Sequence, residues 1–260
     1  YAINKLSLQK VKIYMENQKE CISSPFCPYV SVDCVLLGIN EDKLSVLLVE
    51  RKLLENNAVG YKLPGSLIYE TEELDDAALR VMKEAVGHTQ MSLRQFHTFG
   101  SVARTAKKED VLWLEKESHI KVSRIVTVVY LALSKKGKTV SGLDKNETLR
   151  WFPVEDLPDL PFDHKSIVEE SVNEIRNWVE REPAIVYEYL PSKFTAFQLR
   201  RTYEIIYNKK FDVRNFQKKM NLLGYIVPTD EMEVGVPHRA ARYYRFNKIK
   251  YNKLRSSLNK

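Results

Sequence analysis

A mixed α/β (α+β) sandwich, followed by a smaller basic module of helices and a hairpin, is the fold class that the sequence predicts. Three observations carry it. Residues 29–181 alternate β-rich runs with helical periodicity, the pattern of a sheet covered by helices. The stretch "EREPAIVYEYLPSKF" then breaks helical continuity at Pro183 and Pro191. Beyond it the charge changes sign: residues 190–260 hold 16 Lys/Arg against 5 Asp/Glu, a net of +11, leaving −4 on residues 1–189 of the chain's +7. The division that follows is an N-terminal extension over 1–27, a body over 28–182 and a basic module over 183–260.

The body's elements follow in order. "YVSVDCVLLGI" (29–39) and "KLSVLLVER" (43–51) read as strands joined by Asn40-Glu41-Asp42, a hairpin-like connection. Residues 73–86 have helical spacing, with Leu74, Ala78 and Met82 on one side. "SLRQFHTFGSV" (92–102) and "SRIVTVVYLAL" (123–133) read as further strands, with a helical excursion over 107–121 inserted between them. "LRWFPVEDLPDLPFDH" gives a short strand and a Pro-punctuated turn before a helix from about His164 to Arg181.

Composition bounds the function classes. A chain of 260 residues that is 44% hydrophobic and 29% charged can build a core or two. It has no apolar run near the roughly 20 residues that span a bilayer, and no secretory signal is read at its start, so no membrane partner is expected. Cys21, Cys27 and Cys34 are odd in number, which predicts reduced thiols in a cytoplasmic protein; a zinc site needs a fourth soft ligand, and none is near. A basic module behind an acidic body is the footprint of a nucleic-acid reader, although charge alone fits a solvated surface equally well.

The module's helices sharpen that reading. "FTAFQLRRTYEII" begins with Thr195 as N-cap and Gln198 three residues on, a capping box, and Leu199, Tyr203 and Ile206 repeat as an apolar seam. "DVRNFQKKMNLLGYI" starts at the capping acid Asp212 and ends near Gly224, with Phe216, Met220 and Leu223 behind. Arg214, Gln217, Lys218 and Asn221 fall on the opposite face, flanked by Asn215 and Lys219. Such a front suits a major groove. "YIVP" and "ARYYRF" then pair around a loop holding His238 and Arg239. Two helices and a hairpin in this order make a winged helix-turn-helix.

The segment "PGSLIYETEELDDAALRVMKEAVG" (64–87) resembles the Nudix box, G-x5-E-x7-R-E-U-x-E-E-x-G-U with U bulky and apolar. With Ser66 at the first position, Glu72, Arg80, Met82, Glu84 and Gly87 fall in register. The resemblance, over roughly 29–181, implies a Nudix α/β/α sandwich whose Glu72–Arg80 pair braces the loop against the helix. Three helix acids hold divalent cations in active members, and here those positions are Val81, Glu84 and Ala85. Mg²⁺ needs several oxygen ligands. Glu84 is the single acid left to hold Mg²⁺, so no cofactor is required for the expected role. Ser66 replaces the usual glycine and His88 the final apolar residue. Glu70, Glu73, Asp75 and Asp76 read as helix-start or solvated acids.

The module, from Leu190-Pro191 through Arg214-Asn215-Phe216 and Lys218-Lys219-Met220 to Arg239 and Tyr244, resembles the winged helix of NrtR-like regulators and their sugar-responsive relatives. That resemblance implies a ligand-controlled transcriptional repressor acting as a homodimer on operator DNA. Its effector would be ADP-ribose or another nucleotide sugar in the NAD branch, or a free or phosphorylated sugar in the sugar branch. Arg51, Arg104 and Arg124 are the candidate phosphate contacts, with Gly65, Ser66 and Glu84 in the pocket wall and Trp113 as a possible stacking surface; His88 and His97 read as structural. Arg214, Asn215, Gln217, Lys218, Lys219 and Arg239 are the candidate DNA contacts. The competing reading is a metal-dependent Nudix hydrolase of a nucleoside diphosphate derivative.

Overall fold

The computed structural model describes residues 29–52, 59–87, 93–134, 149–237 and 239–258. The expectations for the extension 1–27, with Cys21 and Cys27, and for His88 and His238 lie outside them.

Strands β1 (Tyr29–Asn40) and β2 (Lys43–Lys52) form a hairpin. Its turn is shorter than the sequence suggests. Asn40 pairs with Lys43, leaving Glu41 and Asp42 at φ 47° and 59°, as a primed two-residue turn demands. Three short strands, β3 (Val59–Lys62), β4 (Gly65–Leu67) and β7 (Leu149–Pro153), add to this hairpin; β3 and β4 were not anticipated. With β5 (Arg94–Phe99) and β6 (Ile125–Ser134) they make a seven-stranded sheet, ordered β3-β2-β1-β6-β5 with β4 beside β1 and β7 beside β2. The β1–β6 pairing is parallel.

Both faces of β1 are covered, which is why it reads as a continuous apolar run. Val32, Cys34 and Leu36 meet α1 (Leu74–Val86) through Ala78, Val81 and Met82. Val35, Leu37 and Ile39 share a cluster with Ile167, Val168 and Ile175 of α3 (His164–Arg181). Burial pushes the Cys34 thiol above its ordinary value, so this cysteine packs as a small apolar group. The excursion is α2 (Lys108–Ser118), reached through a 3-10 turn at Val102–Thr105.

The Pro-rich junction is packed. A 3-10 turn at Pro183–Glu188 buries Ile185 and Val186, and the Tyr187 ring stacks on Phe246 at 4.2 Å. Beyond it come β8 (Phe194–Thr195), α4 (Ala196–Tyr207), α5 (Val213–Leu222), β9 (Ile226–Met232), β10 (Arg242–Phe246) and α6 (Lys248–Leu258). The hairpin β9–β10 is joined by β8 into a three-stranded sheet, and α6 is an addition the sequence reading lacks. Tyr251 of α6 packs edge-on against Tyr225, extending the module's aromatic core. None of the described helices is long and apolar enough to cross a membrane.

The two parts share one apolar cluster and several polar ties. Arg176 of α3 donates to the Ile206 carbonyl (3.0 Å), and Asn208 donates to Glu155 (2.5 Å). Arg201 of α4 stands 4.0 Å from Asp42 in the β1–β2 turn.

Candidate functional site

The loop before α1 is braced as the resemblance to the Nudix box implies. Glu72 accepts from Arg80 Nε (3.0 Å) and Nη2 (2.6 Å) and from the Tyr69 amide (2.8 Å). Arg80 also donates to the Leu67 carbonyl (3.1 Å) and lies over the Tyr69 ring at 4.3 Å. The hydrogen bond from Arg80 holds the Glu72 carboxyl below its ordinary value. Gly87 closes α1 in the left-handed conformation (φ 74°), its N–H returning to the Lys83 carbonyl at 2.8 Å, which explains why the box ends on glycine. Gly65 is a glycine for space: a Cβ there would stand 2.0 Å from Asp33 Oδ1.

The cation-holding positions have a different environment. Val81 and Ala85 are buried in the apolar cluster between α1 and the sheet, and Glu84 alone projects, its side chain 55% exposed and 3.5 Å from Arg80 Nη1. Among the described residues no group of three His, Cys, Asp or Glu side chains is placed to hold a metal ion. One carboxylate already beside an arginine does not fit the ligand demands of a bridging Mg²⁺ site. Asp75, read from sequence as a solvated helix-start acid, instead accepts from the Tyr130 hydroxyl (2.5 Å).

A cleft of about 590 Å³ opens beside this helix. Arg51, Gly65, Ser66, Glu84 and Arg104 line it, as the sequence suggested. Arg124 does not. It precedes β6, is exposed and donates to the Gly100 carbonyl (2.9 Å), while its neighbour Ile125, the first residue of the strand, lines the cleft. Sequence reasoning missed Lys62, Asp33, Phe162 and His164 in the wall. Trp113, on α2, is also in the wall, with Arg51 Cζ at 5.2 Å and Lys62 Nζ at 5.7 Å from its ring centroid. His97 is exposed, edge-on to Phe99.

Arg104 takes a different role from the expected phosphate contact. Its side chain is 3% exposed, Nη2 donates to Asp33 Oδ2 (2.8 Å), and Nη1 donates to Asp163. Both amino groups are thus committed to protein carboxylates. His164 completes the cluster: Nδ1 accepts from the Leu63 amide (3.1 Å), which puts the proton of the neutral ring on Nε2, 3.6 Å from Asp33 Oδ1. Burial pushes the Asp33 carboxyl up, but His164, Arg104 and a hydrogen bond from Thr127 outweigh it and hold the group low. Burial keeps the Asp163 carboxyl above its ordinary value despite Arg104. For His164 burial dominates, opposed by Asp33 and aided by Arg104, and brings the imidazole to about 4 from 6.5.

A pH dependence follows. Between pH 6.5 and about 4 the unfolded chain binds a proton at His164 that the folded chain refuses, so stability falls as pH falls through that window. The contribution is present in full above 6.5, and its slope approaches about 1.4 kcal/mol per pH unit. Asp163 acts in the opposite sense, so the variant that isolates the histidine is His164→Asn, whose amide oxygen can still accept from Leu63. Urea midpoints measured from pH 4 to 7 should fall more steeply with acid for the parent than for this variant.

In the module, Thr195 and Gln198 form the reciprocal capping box, with bonds of 3.2 and 2.9 Å. Asp212 caps α5 by accepting from Asn215 N (2.9 Å). Met220 is buried and Phe216 partly so, while Leu223 is more exposed than a seam residue should be, at 36%. Arg214, Asn215, Lys218 and Lys219 are exposed along α5, and Arg239 is exposed in the loop between β9 and β10. Gln217 is half-buried and donates to the Tyr244 hydroxyl (3.3 Å), so it ties α5 to the wing.

Comparison with known proteins finds two matching families along the chain. The NUDIX domain family matches residues 28–171, and the NrtR DNA-binding winged helix domain matches residues 186–246. The ADPR responsive transcriptional repressor NtrR of Acinetobacter baylyi is 25% identical over 223 residues, 84% of this chain and 82% of that protein. The ADP-ribose pyrophosphatase of Methanocaldococcus jannaschii is 25% identical over 169 residues, 65% of this chain and 80% of the relative. In fold, the chain is similar to Shewanella oneidensis NrtR in its crystal structure with a 27mer DNA, at TM-score 0.61 and 22% identity, covering 84% of this chain and 93% of that one. The braced loop and helix, the sheet behind them and the capped helix pair with its wing therefore have one description: the chain belongs to the Nudix family and carries an NrtR-type winged-helix DNA-binding domain behind its Nudix domain.

Proposed function

We propose that this protein is an ADP-ribose-responsive transcriptional repressor in which the Nudix cleft senses its ligand without cleaving it. The observation that carries the reading is the pairing of a cleft lined by Arg51, Lys62 and Trp113 with a helix whose cation-holding positions are the buried Val81 and Ala85. Such a cleft can attract a diphosphate, and its helix keeps only Glu84 of the three carboxylates that would hold cations for hydrolysis. ADP-ribose is the effector named for the Acinetobacter relative, and it has the diphosphate that this wall suits. Arg214 and Lys218 on α5 and Arg239 in the wing loop face solvent, where they can neutralise phosphates of a duplex. The protein acts as a homodimer, and ADP-ribose releases DNA by binding more tightly to a placement of the two modules that no longer fits the operator. The ties between α3 and α4 give that placement a defined geometry.

Selection of bound fragments from a genomic library by the purified chain should yield a sequence-preferring site. Binding should weaken as salt rises, and ADP-ribose should release the site while being recovered intact. No sequence preference, or no response to ADP-ribose, would count against the proposal. Cleavage to AMP and ribose 5-phosphate on adding Mg²⁺ or Mn²⁺ would favour hydrolysis instead, the reading that Glu84 and the Methanocaldococcus relative support.

A further inference from the structure

Helix α2 lines the cleft with Trp113, Leu114, Glu117 and Ser118, and the partners of Trp113 and of Asp110 behind it define a site there. Asp110, 4% exposed, accepts from Arg51 Nη2 at Oδ1 (2.9 Å) and from the Phe162 amide at Oδ2 (2.8 Å). One carboxylate therefore fixes α2 against β2 and against the turn leading into α3. The Arg51 side chain is only 10% exposed, yet its Nε and Nη1 have no hydrogen-bond partner. Unmet donors on a buried cation cost free energy unless something accepts from them. One turn along α2, Trp113 lies under both Arg51 and Lys62, an arrangement that holds two like charges close together by cation–π attraction. Lys62 also donates to the Gly65 carbonyl (3.2 Å), which directs it along the same wall. Of the acids in this wall, Glu50 and Glu84 lie beside Arg150 and Arg80, and Glu117 is exposed to solvent one turn beyond Trp113.

We propose that α2 completes an anion subsite in which Arg51 and Lys62, gathered on Trp113, take a phosphate or diphosphate ester. Asp110 sets the orientation of Arg51 and partly offsets its charge. The inference rests on the sensing role proposed above for the same cleft and assigns the diphosphate end of the ligand to Arg51 of β2 and Lys62 of β3, positioned by Asp110 and Trp113 of α2. It also predicts that an uncharged sugar gains nothing from this wall.

The test is calorimetric titration of the full chain with pyrophosphate, ADP-ribose and ribose. Arg51→Gln alone would leave Asp110 buried and unpaired, so the charge is removed in the pair Arg51→Gln/Asp110→Asn, which can keep a side-chain hydrogen bond. The pair should lose about tenfold to a hundredfold in affinity for pyrophosphate and ADP-ribose. Asp110→Asn alone should tighten both several-fold, because it strips the offsetting charge from Arg51; a purely structural Asp110 would not do so. Trp113→Leu should weaken both, and all three variants should treat ribose as the parent does. Binding of ADP-ribose by the double variant within twofold of the parent overturns the subsite, as does failure of the parent to bind either phosphate compound. Arg51-dependent binding with no effect on DNA would leave the subsite standing and remove the effector reading. Release of DNA by ADP-ribose without Arg51 dependence would do the reverse.

Discussion

Replacing Arg104 with methionine will lower folding stability by about 3–5 kcal/mol, read as the change in urea unfolding at pH 7. The size follows from what is left behind. Arg104 is the shared partner of Asp33 and Asp163, and the side chain of Asp33 is 6% exposed. Without the guanidinium, Asp33 keeps the long approach of His164, the Thr127 hydrogen bond and the more distant charge of Lys62 against the cost of a buried charge. Methionine fills space over the Phe162 ring, where the guanidinium sits at 5.4 Å, so the loss reports charge more than packing. The sign of the pH effect is a second check. The Asp33 carboxyl will move up when its cation is gone, so the folded variant gains protons as pH falls and its deficit against the parent should shrink. Adding Asp33→Asn and Asp163→Asn should recover most of the loss, since no buried charge then lacks a partner. A loss below about 1 kcal/mol at pH 7 would mean that the cluster is well solvated and holds nothing together.

The same cluster marks where reading the sequence runs out. β1, β2, β6, α1 and α3 were legible because their apolar spacing reflects one or two covered faces, a local property of the chain. The caps of α4 and α5 were legible because their partners lie three residues away. Arg104 was expected to meet a ligand phosphate, but its partners are 71 and 59 residues away in sequence, and no spacing rule reaches them. β3 and β4 escaped for a related reason: four and three residues are too short for periodicity, and pairing with β2 and β1 makes them strands.

Arg124 was a different kind of error, one the sequence had the means to prevent. β6 is strongly apolar, and extending its alternation back by one residue separates Arg124 from Ile125 and Thr127. In the parallel register Ile125 stands beside Tyr29 and Thr127 beside Ser31, so the face shared with Asp33 belongs to the odd-numbered residues. The Glu72–Arg80 brace was legible from the family spacing alone. The apolar lodging of Val81 and Ala85 turns a missing charge into a filled space, which only packing reveals.

Arg214→Ala and Lys219→Ala should affect DNA binding in distinguishable ways, and each should act twice if the protein is the homodimer proposed above. Both residues are exposed on α5, but they project differently from its packed seam. Arg214 lies opposite Phe216 and Met220, at the end of α5 that Asp212 caps, where a recognition helix meets base edges. Lys219 flanks that face, a position from which a lysine would meet phosphates and not base edges. Loss of a bidentate guanine contact costs about 1–3 kcal/mol and relaxes sequence preference at one position per half-site. Loss of a phosphate contact weakens all sequences alike and lowers the slope of log K against log salt by about 0.9 for each contact, hence about 2 per dimer. Gln217 supplies the internal control: its amide is held by Tyr244, so Gln217→Ala should loosen the junction of α5 with the wing and lower the unfolding midpoint. Titrations of the selected site and of scrambled duplexes at several salt concentrations separate these outcomes. If Arg214→Ala weakens selected and scrambled duplexes equally, the face that reads sequence is not the one opposite Phe216 and Met220.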